Sequence, residues 1–201
     1  MLSWFEKRID PFPAEAPEQP PTTLFAFCWH YTKGIWPWLA ITSVLIAAIS
    51  ALQVALFGFL GNIIDWLAGA DRATFLADEG WTLAGMGFVI LVLLPGLGLI
   101  HTMVMHQTIF GNYPMLIRWK AHRYLLGQSF GFYQDEFAGR VATKMMQTAL
   151  GVRETVVKIL DVLIYVVVYF VGTLVLVAAL DVRLMLPFLV WLVFYAGMLR
   201  Y

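Results

Sequence analysis

Of 201 residues, 61% are hydrophobic and 13% charged, and the mean hydropathy is +0.77. A soluble domain carries about 25% charged residues, so this chain has too little charge to clothe a water-facing surface. A soluble enzyme is excluded and an integral membrane protein is implied. Thirteen Lys and Arg cancel thirteen Asp and Glu, so the basic footprint of a nucleic-acid binder is missing too.

The first nine residues mix Glu6, Lys7 and Arg8 with apolar side chains and lack the pattern of a signal peptide. The N-terminus is therefore expected to be mature and cytoplasmic. Residues 11–21 hold five prolines and two glutamates, and 1–21 as a whole is expected to be a disordered or extended lead. Residues 22–33 are aromatic-rich, uncharged before Lys33 and too short to span. With Trp29, Tyr31, Trp36 and Trp38 nearby, they read as an elbow helix lying on the inner membrane surface.

From residue 34 to 201 the chain reads as membrane domain. Charge is absent from Gly34–Ile64, Gly80–Ile117, Val162–Leu180 and Leu184–Leu199. A spanning helix needs about 20 residues, which predicts four spans, at about 35–66, 80–117, 160–180 and 184–201. The second stretch is 38 residues, about 57 Å of helix against about 30 Å of hydrocarbon. Pro95-Gly96-Leu97-Gly98 offers a break into a hairpin. Charge sidedness rejects it: with four spans, the inner segments hold ten Lys and Arg and the outer loops only Arg72 and Arg183. The expectation is one over-long helix, kinked near Pro95.

Between spans two and three, the loop 118–159 reads as two helical arms about 30 Å long, joined by a short turn at 128–139. In the second arm Val141, Met145, Ala149, Val152, Val156, Ile159 and Leu163 recur at helical spacing. Arg140, Lys144, Gln147, Glu154, Lys158 and Asp161 form a polar stripe beside them. Glu154 and Lys158 have the favourable i,i+4 order. This arm is expected to begin near Gly139 and run unbroken into the third span.

No Gly-x4-Gly-Lys-Ser/Thr phosphate loop occurs in the chain. The lone Cys28 makes no internal disulfide. His101 and His106 lie about 140° apart around a helix, unlike i,i+4 metal ligands, and His30 and His122 are in other segments. Intramembrane Gln53, Asn62, His101, Thr102, His106 and Gln107 are candidates for a substrate path, or alternatively for hydrogen bonding between helices. Gly58, Gly61, Gly85, Gly87, Gly96 and Gly98 allow close helix packing.

The stretch Leu125-Leu-Gly-Gln-Ser-Phe-Gly-Phe-Tyr-Gln-Asp-Glu-Phe-Ala-Gly139 resembles the first intracellular loop of ATP-binding cassette (ABC) exporters with the type IV, or type-1 exporter, transmembrane fold. In that family an aromatic pair, a short polar stretch and a glycine precede a helix that begins as Gly139-Arg140-Val141-Ala142-Thr143-Lys144-Met145 does here. Thr148 stands where the family commonly carries Asp, and Arg153-Glu154 matches a frequent charged pair before the third span.

The resemblance implies an all-α polytopic bundle, four of six long helices that extend into the cytoplasm, and the N-terminal part of a half-transporter whose nucleotide-binding domain is absent here. It implies ATP-driven export across the plasma (inner) membrane, with ATP and Mg bound on a nucleotide-binding domain and a second half-transporter completing a homo- or heterodimer. The substrate would be hydrophobic or amphipathic. Phe132, Tyr133, Asp135, Glu136, Phe137 and Gly139 would form the tip that couples to the nucleotide-binding domain. Two other readings stand beside it: a membrane-embedded redox or haem protein using His101 and His106, and a non-catalytic membrane scaffold.

Overall fold

The computed structural model describes residues 2–15, 18–69, 75–135 and 137–200. Among them there is no strand. The helices are α1 (Leu2–Glu6), α2 (Leu24–Thr32), α3 (Trp36–Gly69), α4 (Phe75–Phe88), α5 (Leu94–Met103), α6 (Gly111–Leu126), α7 (Phe130–Asp135), α8 (Ala138–Lys158), α9 (Ile164–Leu180) and α10 (Leu186–Leu199). Wider π-helical turns at Val89–Leu93, Val104–Phe110 and Ile159–Leu163 join α4 to α5, α5 to α6 and α8 to α9. Four helices are long and apolar enough to cross a membrane: Trp36–Trp66, Asp78–Leu126, Ala138–Leu180 and Val182–Leu199. The chain is therefore an all-α membrane bundle.

The over-long second stretch is one helix, but it yields at places other than Pro95 itself. A proline removes the bond to the carbonyl four residues back and pushes its ring against that carbonyl. For Pro95 that is Leu91, inside the π turn Val89–Leu93; the Leu94 N–H bonds back to the Val89 carbonyl. For Pro114, inside α6, it is Phe110, the last residue of the π turn Val104–Phe110. Each π turn opens the ladder where a proline ring would otherwise collide with it. The third π turn, Ile159–Leu163, has no proline after it.

Two compact units divide the chain. The first comprises Met1–Leu45 and Gly98–Leu163. Its core gathers Ile9, Tyr31, Ile35, Leu39, Met105, Ile109, Tyr113, Leu116, Ile117, Ala149, Val152 and Val157. Tyr113 is fully buried, and its hydroxyl lies 2.8 Å from that of Thr32. Thr32 gives its own proton to the Cys28 carbonyl at 2.6 Å, so Tyr113 is the donor and neither hydroxyl is stranded.

The lead expected to be disordered departs from that reading. Its prolines do keep residues 11–15 out of any helix. Yet α1 forms, Ile9 is buried in the core, and the Phe5 carbonyl accepts from the Thr108 hydroxyl at 3.2 Å. Asn112 donates to the Glu6 carbonyl at 2.7 Å. Apolar side chains at positions 5, 9 and 12, together with these side-chain bonds to its backbone, hold the segment down.

The second unit comprises Ile46–Leu97 and Ile164–Tyr201. Few of its side chains are buried: Ile49, Ser50, Val54 and Met86. Phe57, Leu60, Val166, Val175, Leu186 and Phe194 are exposed. Its close helix approach is at Gly172 on α9, where an added Cβ would lie 3.1 Å from a methyl of Val54 on α3. Of the glycines singled out for packing, Gly58 meets only Leu176 at 3.9 Å, and Gly61, Gly85, Gly87, Gly96 and Gly98 have open space beside them.

Candidate functional site

The second arm forms as its periodicity predicts: α8, the π turn and α9 run without a break from Ala138 to Leu180. Glu154 and Lys158 pair at 3.3 Å, and Glu154 also receives the Arg153 guanidinium. The turn between the arms is itself a short helix, α7. Gly127 ends α6, and the Tyr133 hydroxyl reaches back to donate to the Leu125 carbonyl at 2.6 Å. That bond ties α7 to the end of the arm.

The aromatic side chains at this tip divide into two pairs. Phe132 and Tyr133 meet edge to face at 5.3 Å. Phe132 is half-buried and lines a 260 Å³ groove with Phe27, Tyr31, Tyr124, Met145 and Thr148, and Tyr133 is 41% exposed. Phe137 (80% exposed) and Phe130 (78%) face outward. Phe130 carries no sequence signal of its own, because a run of aromatics in a turn does not tell which rings point away. Glu136 and the side chain of Asp135 lie outside the described residues.

Gly139 lies at the start of the arm, as expected. It is the second residue of α8, and no glycine among the described residues has positive φ. The reversal is made by Phe137, extended at φ −68° and ψ 124°, whose carbonyl accepts from Arg140 and Val141 N–H. A β-region N-cap residue is the ordinary way into a helix.

The six candidates for a substrate path fall in different units. Gln53 and Asn62 are on α3 in the second, nine residues apart and so on opposite faces. Gln53 accepts from the Tyr165 hydroxyl at 3.0 Å, whereas Asn62 is exposed. His101, Thr102, His106 and Gln107 belong to the first. His101 Nε2 lies 2.9 Å from Asp161 Oδ1, in the π turn Ile159–Leu163. His106 packs edge-on against Phe110 at 4.9 Å and is exposed, as is Thr102. The pairing of His101 with Asp161, sixty residues apart, had no sequence signal beyond two polar groups at depth. Among the described residues no three His, Cys, Asp or Glu side chains gather as metal ligands would.

All-helical structure with four apolar helices of crossing length defines a multi-pass membrane protein. Over 200 residues, all of its length, the chain is 38% identical to a protein of Haemophilus influenzae described as an uncharacterized ABC transporter ATP-binding protein. It is thus related to an ABC transporter component, and it spans 32% of that relative. No family model and no solved structure matches the chain.

Proposed function

We propose that this chain is the membrane part of an ATP-driven exporter of the type IV transmembrane fold, and that α7 passes the work of a nucleotide-binding domain to the membrane. The observation that carries this is the unbroken 43-residue helix Ala138–Leu180 beginning beside α7. At 1.5 Å per residue it is about 65 Å long, twice the hydrocarbon thickness. A helix that long moves as a lever when its end is pushed. Phe130 and Phe137 are the rings placed to enter a partner's groove, as buried aromatic anchors do at interfaces. Kinship with an ABC transporter component supplies the partner's class.

Helix lengths also suggest where the hydrocarbon begins. Residues 46–66, 78–97, 164–180 and 182–199 are each close to one membrane thickness, and all belong to the second unit. On this reading many of the apolar side chains of residues 102–117 are buried by protein within the first unit. α2 rests on the inner surface, and the N-terminus is cytoplasmic. The exposed apolar faces of α9 and α10 meet lipid, further spans or a second half-transporter. A hydrophobic or amphipathic substrate would cross by alternating access, driven by ATP and Mg on the nucleotide-binding domain.

The test uses the full-length transporter in proteoliposomes. Replacing Phe130 and Phe137 by Ala together should abolish transport and substrate-stimulated ATP hydrolysis while nucleotide still binds. Unchanged stimulation would remove α7 from the coupling path. For the orientation, an impermeant thiol reagent added outside should label Arg183→Cys and not Gln134→Cys, both in a Cys28→Ala background; the reverse pattern would invert the topology.

A further inference from the structure

Four nitrogen-bearing side chains converge beside the N-terminal lead: His30 and Lys33 of the α2 end, and Lys120 and Arg123 of α6. The lead lies across them as a strap. Phe12 meets Trp119 edge to face at 5.3 Å, and the Trp119 indole N–H donates to the Pro13 carbonyl at 3.0 Å. Arg123 donates to the Pro13 and Glu15 carbonyls at 3.3 and 2.6 Å. Glu15 reaches Lys120 at 3.6 Å, and Glu18 reaches Lys33 at 3.5 Å and His30 at 3.8 Å. What remains open is a cavity of about 20 Å³, room for one water and not for a phosphate.

These ion pairs are long and their carboxylates mostly exposed, the kind that contributes least. The two carboxylates also fail to neutralise the cluster, since Lys33, Lys120 and Arg123 are three fixed cations. His30 registers the surplus: burial, then Lys33 and Lys120, hold its pKa below 6.5 against the opposite pull of Glu18. A site that is still positive with its own acids in place attracts a further anion.

Its setting favours one source of such an anion. On α2, Leu24, Phe25 (83% exposed) and Trp29 project outward as large apolar groups, which suits a helix resting on lipid headgroups. We propose that His30, Lys33, Lys120 and Arg123 form a binding site for the phosphate of an anionic lipid headgroup, held shut by Glu15 and Glu18 until the lipid displaces them. The inference rests on the membrane placement of α2 and not on the transport reaction. The strap would then release α6, the arm that leads to α7, only in a membrane that holds anionic lipid.

The full-length protein is placed in discs of phosphatidylcholine with or without phosphatidylglycerol, and retained lipid is counted by native mass spectrometry. Wild type should retain phosphatidylglycerol in preference. Lys33→Gln with Lys120→Gln should cut that preference about tenfold or more, and Glu15→Gln with Glu18→Gln should strengthen it. Lys120 is only 21% exposed, so the melting curve of each double variant is compared with wild type to show that folding is preserved. A spin label at Ala14→Cys in a Cys28→Ala background should become mobile when phosphatidylglycerol is present. If neither double variant changes the preference, the site is overturned. If inorganic phosphate in pure phosphatidylcholine discs frees the label as fully as phosphatidylglycerol does, the lipid source is overturned. A label at Phe25→Cys that a lipid-soluble quencher fails to reach would place the fault in the position of α2 instead.

Discussion

The two units treat their apolar side chains in opposite ways. In the first, Ile109, Tyr113 and Ile117 are sealed by protein on every side. In the second, Val166, Val175 and Phe194 have most of their surface free of the chain. Hydropathy reports only that a side chain avoids water; what replaces the water is decided by the neighbours. Among lipid tails there is no hydrophobic drive between helices, so contact there depends on close packing and polar pairs. Gly172 against Val54 and Tyr165 with Gln53 are those contacts. The first unit has an ordinary core and should obey ordinary core energetics.

The sharpest way to break that contrast is at the helix the two units share. Proline at Thr155 removes an N–H from the last turn of α8, inside the continuous helix Ala138–Leu180, and crowds the Gly151 carbonyl, which should cost about 3 kcal/mol or more. Thermal unfolding in detergent should show the first unit lost, and retention of the wild-type melting curve would deny a continuous helix. Next comes a matched pair of truncations. Ile109→Ala should cost about 2–5 kcal/mol, as buried aliphatic truncations do, while Val175→Ala on the exposed face of α9 should stay within about 0.5 kcal/mol. Equal melting shifts would erase the distinction between the units.

Within the second unit, Gly172→Ala brings a methyl to 3.1 Å from the rigid, β-branched Val54. Overpacking of this sort costs about 1–3 kcal/mol, and adding Val54→Ala should recover most of the lost melting temperature. The smallest effect is one of pH. His30 binds its proton less tightly folded than unfolded, through burial and then through Lys33 and Lys120. Its contribution is intact above 6.5, the unfolded value, and declines as pH falls from there toward the lower folded value. Melting temperatures followed from about pH 8 to about pH 5 should therefore fall less for His30→Asn than for wild type.

Much of this arrangement was legible in the residues. Charges punctuate the chain at the helix ends, so four crossing helices follow from the gaps between them. The stripe from Arg140 to Asp161 gave away a helix that does not stop where the apolar stretch begins. Other features depend on pairings across the chain. Burial in protein and burial in lipid select the same side chains: residues 102–117 lie within the apolar helix Asp78–Leu126, and in the first unit protein buries Ile109, Tyr113 and Ile117. The lead looks free because its prolines speak louder than Ile9 and Phe12, whose partners lie about a hundred residues away. At the tip, composition identifies an aromatic cluster, but only the folded chain separates the most exposed rings, Phe130 and Phe137, from Phe132 and Tyr133.

The π turns carry a consequence for phase. Each takes one more residue into its turn than an α-helix does, which shifts everything after it by about 100° around the axis. One such insertion lies just before α6 within the first unit, so the side that α6 presents there is set by the wider turn upstream as well as by its own count of 3.6. Tyr113, three residues beyond that turn, is the α6 side chain that meets Thr32. Pro114, which looks like a defect in a spanning helix, thus acts as a vernier, setting the angle at which α6 meets its neighbours in the first unit.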